Sequence, residues 1–129
     1  NPSLSKVFCS LLYWGEGNKT GYRVAFINSD PIMIGSFIKL FRLSFDLDES
    51  KLRALVHIHE YHNEMEIKDY WSKITNIPLS QFTKSYLKPH TGKTTKLGYK
   101  GTIRISYSDT RIVDELKAVY NGLAKSLGL

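Results

Sequence analysis

A chain of 129 residues with 42% hydrophobic content suits one domain, 1–129, able to bury a core of its own. No apolar run approaches a membrane span and no secretory pattern is visible, so no membrane partner is expected and the location is read as intracellular, cytoplasmic or nucleoid-associated. The net charge of +6 is concentrated, because seven of the 18 basic residues and one of the 12 acidic ones lie in 81–111, leaving the rest of the chain balanced.

A first helix is expected at about 3–15, with Ser3 as its cap and Leu4, Val7, Phe8, Leu11 and Leu12 recurring at helical spacing. Cys9, the one cysteine, falls inside this helix and is expected to pack. The small residues Ser5, Cys9, Ser10 and Gly15 would allow another helix to approach closely. The helix runs into Gly15-Glu16-Gly17, where a carboxylate meets the negative end of the helix dipole and is disfavoured unless a cation is near. Either a metal or simple solvation beside a Gly17 cap accounts for it.

A turn at 18–21 leads to a strand at 22–28 that is apolar on both faces through Val24, Ala25, Phe26 and Ile27, as in a central strand. In Asn28-Ser29-Asp30-Pro31 the Asp can cap and the Pro is preset for a first helical turn. The helix that follows should bury Ile34, Phe37, Ile38 and Phe41 and end near Phe45. The strand at 52–59 alternates, with Leu52, Ala54, Val56 and Ile58 toward the core and Arg53, Leu55, His57 and His59 on the other face. Asn63 and Glu66 open a third helix, with Ile67, Tyr70, Trp71 and Ile74 on its apolar stripe. Two further strands are expected at 81–88 and 98–108, joined by the basic loop 89–96, before a last helix at 110–127. The order implies an α+β fold, with a mixed or antiparallel sheet of about four strands covered by helices on one face and left open on the face of Arg53, His57, His59 and Arg104.

Two blocks, Leu11-Leu12-Tyr13-Trp14-Gly15-Glu16-Gly17 and Arg23 to Pro31 with its following helix, resemble the LAGLIDADG homing endonucleases over roughly the first third of the chain. In that family the signature helix ends in Gly-(Asp or Glu)-Gly, two such helices pack side by side, and the acid at the foot of each binds the divalent metals that cleave DNA. The resemblance implies a homing-endonuclease-like fold, Glu16 as catalytic metal ligand, Mg²⁺ or another divalent cation, double-stranded DNA as partner, and a homodimer because the chain carries a single motif. It further implies a basic side chain from the sheet at the active site, for which Lys84, Lys88 and Lys100 are the candidates, with Lys84 and Lys100 favoured. Two departures stand out: the family's hairpin after the first helix is reduced to one strand unless residues near Lys19 form a very short partner, and the helix at 63–75 is an insertion.

Clustered charge is the electrostatic footprint of a protein that binds a polyanion. The expected nucleic-acid contacts are Arg53, His57, His59, Lys84, Lys88, Lys93, Lys96, Lys100 and Arg104. Phe82, Tyr86, Tyr99 and Tyr107 interleave with these charges and are expected mainly to pack. His57, His59 and His62, with Glu60, also allow a transition-metal site, although no Cys pair supports one. The competing function is a binding module that keeps the fold without cleavage, a transcription regulator or an intron RNA-splicing factor, with RNA as the alternative partner. The first residue is Asn1 rather than Met, which suits a piece of a longer protein.

Overall fold

The computed structural model describes residues 2–89 and 98–129. In chain order the elements are α1 (Pro2–Glu16), β1 (Val24–Asn28), α2 (Pro31–Ser44), β2 (Arg53–His59), α3 (Glu64–Thr75), β3 (Tyr86–Lys88), β4 (Thr102–Tyr107) and α4 (Thr110–Ser126). Short 3₁₀ turns occupy Glu49–Lys51 and Leu79–Gln81. The fold is α+β, as the alternation of helical and strand periods implied.

Local chemistry sets the element ends. Asp30 accepts from the Ile32 N–H at 2.9 Å to cap α2, and Asn63 accepts from the Glu66 N–H at 3.1 Å to cap α3. Asn76 ends α3 in the left-handed conformation, with φ 55°. Helix α1 starts one residue before Ser3, at Pro2, whose missing N–H costs nothing in a first turn.

The sheet runs β1-β4-β2-β3, with β4 antiparallel to both β1 and β2 and β3 parallel to β2. The sheet is therefore mixed. Strands β3 and β4 flank β2 on opposite sides, and the parallel pair needs the crossover that α3 supplies. Strand β3 is also shorter than the expected 81–88. Gln81 lies in a 3₁₀ turn, where its side-chain amide donates to the carbonyls of Glu49 and Leu52 at 2.8 and 2.7 Å, and regular pairing resumes only at Tyr86. Entry into β4 depends on Gly101, at φ 74°, where a Cβ would sit 2.6 Å from the His57 carbonyl oxygen.

One core is shared by Val24 and Phe26 of β1, Ala54, Val56 and Ile58 of β2, and Ile103 and Ile105 of β4, packed against the helices. Phe37 of α2 stacks on Phe26 with centroids 4.1 Å apart, and Trp71 of α3 is fully buried while its indole N–H donates to the Lys100 carbonyl at 2.8 Å. Burial of these side chains, at about 1.5–3 kcal/mol each, is the main force holding the helices to one face of the sheet. No helix among the described residues is long and apolar enough to cross a membrane.

Candidate nucleic-acid interface

The end of α1 is fixed by Tyr13. Its ring is fully buried, its hydroxyl donates to the Asn18 carbonyl, and the same oxygen accepts from the Ala25 N–H at 3.2 Å. The helix is thereby tied to the following loop and to β1. Gly17 then forms a one-residue antiparallel bridge to Phe26, and the Asn18 N–H donates to the Ala25 carbonyl at 2.9 Å. This is a very short partner strand on the outer edge of β1. Glu16, immediately before it, is exposed, and among the described residues its carboxylate has no hydrogen-bond or ion-pair partner. The cation found at this helix end is Lys19, which donates to the Gly17 carbonyl at 3.1 Å and offsets part of the helix-end charge.

The buried face of α1 carries Cys9, Ser10 and Tyr13, while Leu4, Val7, Phe8 and Leu11 face outward and Trp14, partly exposed, stacks on Tyr120 of α4. Leu4 and Phe8 keep 52% and 50% of their surface exposed. Spacing alone could not say which face would meet the core. Cys9 and Ser10 are thus absorbed into the chain's own packing and cannot ease the approach of a second helix, whereas Gly15 has no atom within 4 Å of a Cβ position and remains open. Burial pushes the Cys9 thiol up to about 12, so it behaves as an inert packing group.

On the uncovered sheet face, cross-strand register puts Arg104 between Ile27 and Leu55, and Ser106 between Ala25 and Arg53. Beyond them Thr102 is opposite His57, which is in turn level with Tyr86 of β3, and His59 is level with Lys88. Among the described residues no acid forms an ion pair with Arg23, Arg53, Arg104 or Lys88. Burial, with Arg23 beside it, moves the Arg104 pKa down, and its Nε is buried without a partner. His57 is likewise held below the ordinary imidazole range, first by burial and then by Lys88 and Arg104. Among the described residues the charge of this surface is offset by carbonyls and not by acids, Arg53 donating to the Ser50 and Leu52 carbonyls at 2.6 and 2.8 Å, and a surface of this kind attracts anions.

Six rings gather at the other end of this face. Tyr86 lies 5.3 Å from His57, and Tyr61 stacks on His59 at 5.3 Å with an angle of 4° between planes. His62 and Tyr99 complete the group, and the Tyr99 hydroxyl lies 3.1 Å from the Thr102 hydroxyl. His62 accepts the His59 N–H at Nδ1, 2.9 Å, and faces the Tyr99 carbonyl with Nε2 at 3.0 Å. Both ring nitrogens are committed, because Nε2 must donate to that carbonyl. Among the described residues no three His, Cys, Asp or Glu side chains are grouped to hold a metal ion, so the three histidines form an aromatic cluster here and not a ligand set.

The remaining candidates are dispersed. Lys93 and Lys96 lie outside the described residues. Lys100 is turned to α3, its ammonium 5.8 Å from the Tyr70 ring centroid. Lys84 precedes β3, at the sheet edge opposite Gly17. Four strand spacings separate those edges, roughly 19 Å, so within one chain Lys84 does not join Glu16. Arg23, Tyr61 and the exposed Tyr86 were not recognisable as surface partners from the sequence: only alternation along β3 hinted that Tyr86 shares a face with the charges. Phe82 is half-buried and Tyr107 is buried, as expected of packing aromatics.

Comparison of the chain with protein-family models, curated proteins and solved structures finds no match in any of the three.

Proposed function

We propose that this chain is a homing-endonuclease-like, double-stranded DNA-binding protein that works as a homodimer and cleaves phosphodiesters with Mg²⁺ through paired Glu16 carboxylates. The observation that carries the reading is the open sheet face, on which, among the described residues, Arg53, Arg104 and Lys88 stand beside His57 without an ion-paired acid, while α1 in the helix layer carries an exposed apolar stripe. A positive sheet face suits the DNA backbone and groove edges, and the stripe suits a second copy of itself. The Gly17–Phe26 bridge supplies the very short partner strand that the reduced hairpin requires.

Leu4, Phe8, Leu11 and Gly15 follow helical spacing of four, three and four along one seam. A two-fold axis along that seam brings the two Glu16 residues together, with the β3 edges at the outer ends. One chain offers a single hard oxygen donor at this helix end, and a dimer offers two, which fits a divalent cation that keeps most of its water. When bound, Mg²⁺ would supply the charge that activates water and steadies the leaving oxygen. Glu16 holds it, and the arginines and lysines position the phosphate backbone.

The test is incubation of wild type and Glu16→Gln with a random duplex library and Mg²⁺. Cleavage by wild type that disappears in Glu16→Gln, with metal-free binding retained, is the expected result. Cleavage that survives the substitution removes Glu16 from the chemistry. The second reading, a regulator or RNA-splicing factor that binds without cutting, is favoured by Lys19 at the helix end and by the distance between Glu16 and Lys84; tight binding with no cleavage by wild type would select it.

A further inference from the structure

The open sheet face divides into two halves of different chemistry. At the β1 and early β2 end lie Arg23, Arg53 and Arg104 over the small residues Ala25 and Ser106. At the other end the rings of His57, His59, Tyr61, Tyr86, Tyr99 and His62 adjoin Lys88. Arginines alone suffice to hold duplex backbone. The rings need a different explanation, because a duplex buries the faces of its bases against one another and offers only their edges to a groove-bound surface.

The geometry points to a stacking platform at the β2–β3 end of the sheet that takes unpaired bases from a nucleic-acid strand whose backbone lies along the arginine half. Tyr86 keeps 55% of its surface exposed on an edge strand, and Tyr61 keeps 38% while lying flat on His59. The exposed Tyr86 ring is surface to which a base can add. The supports are rigid: Tyr86 is held level with His57 by the β2–β3 ladder, and His62 locks the turn through its two hydrogen bonds to His59 and the Tyr99 carbonyl. Rings presented on an uncovered sheet beside cations are the recurring means of holding one base each from a single strand, and stacking tolerates any base because every base has a π-face. The inference rests on the assignment of this face as a nucleic-acid surface and narrows its substrate to DNA or RNA with an unpaired segment.

The test measures binding of wild type, Tyr86→Leu, Tyr61→Leu and Tyr86→Phe to an oligothymidylate of about 12 nucleotides, an oligouridylate of the same length and a fully paired duplex. Stacking predicts that each Leu variant loses roughly tenfold in single-strand affinity, that Tyr86→Phe retains wild-type affinity because the ring is kept, and that duplex affinity changes by less than about twofold in all three. The thymidylate and uridylate arms tell a DNA strand from an RNA strand. Unchanged single-strand affinity in both Leu variants overturns the platform while leaving duplex binding in place. An equal fall on single strand and duplex also overturns it, and wild type that binds none of the probes overturns the nucleic-acid reading of the whole face.

Discussion

A Cβ built on Gly17 would come within 2.4 Å of the buried Tyr13 ring, whereas one on Gly15 meets nothing within 4 Å. The two glycines that flank Glu16 therefore do different things. Gly17→Ala should destabilise the fold by about 1–3 kcal/mol, because Tyr13 is tied through its hydroxyl to the loop and to β1 and cannot move aside; a thermal melt reads this as a lower Tm. Gly15→Leu should leave the Tm of dilute protein undiminished, since glycine inside a helix is itself unfavourable by roughly 0.5–1 kcal/mol. On the dimer reading it should nevertheless suppress cleavage by holding the helix ends apart. A Gly15→Leu protein that cuts DNA at the wild-type rate would show that the two ends do not meet.

Among the elements, α1 packs one face between α2 and α4 and leaves the other bare, Trp14 lying flat on Tyr120 of α4 with centroids 5.3 Å apart. If the bare face is the dimer seam, light scattering of the DNA complex should give a protein mass, after subtracting the DNA, of twice 14.8 kDa for wild type and of a single chain for Phe8→Glu, at unchanged helix content by circular dichroism. Equal masses for the two proteins would place the seam elsewhere. Strand β2 carries a second expectation through His57, which is held below its ordinary value of 6.5 chiefly by burial and then by Lys88 and Arg104, with the Tyr86 ring on its β3 side. The unfolded chain then binds the extra proton more readily than the folded one. Its contribution to stability is present in full above the unfolded value and is lost as pH falls from 6.5 toward the folded value. Phosphate on Lys88 and Arg104 removes part of the opposition, so DNA binding should take up a proton and strengthen as pH falls through this range. His57→Gln should flatten that dependence, as measured by titrations between about pH 5 and 8.

At the scale of the molecule, the described basic side chains of 81–111 do not form one patch. Arg104 stands on the open face, Lys100 turns to α3, and Arg111 sits at the start of α4 beside Asp109, at 3.5 Å. Arg104→Ala should lower duplex affinity across all sequences and reduce the slope of log affinity against log salt by about 0.9, the release of one counterion. Arg111→Ala should leave the slope unchanged. If both arginines alter it equally, the binding surface extends around the molecule and the sheet face is not its centre.

The element types, the caps at Asp30 and Asn63, and the core positions of α2, α3 and β2 follow from local sequence, because capping chemistry and the periods of helix and strand act over a few residues. The open face was legible for the same reason: alternation along β2 puts Arg53, His57 and His59 on one side wherever the strand lies. Tertiary structure alone decided which side of α1 is buried, since both sides are apolar and only the positions of α2 and α4 distinguish them. It also decided the parallel placement of β3 beyond β2, which depends on the α3 crossover and on Gln81 leaving the strand to bond two distant carbonyls. The gathering of Tyr61, Tyr86 and Tyr99 around the histidines was equally hidden, for it is created by long-range strand register and by the His62 hydrogen bonds, neither of which has a local signal in the chain.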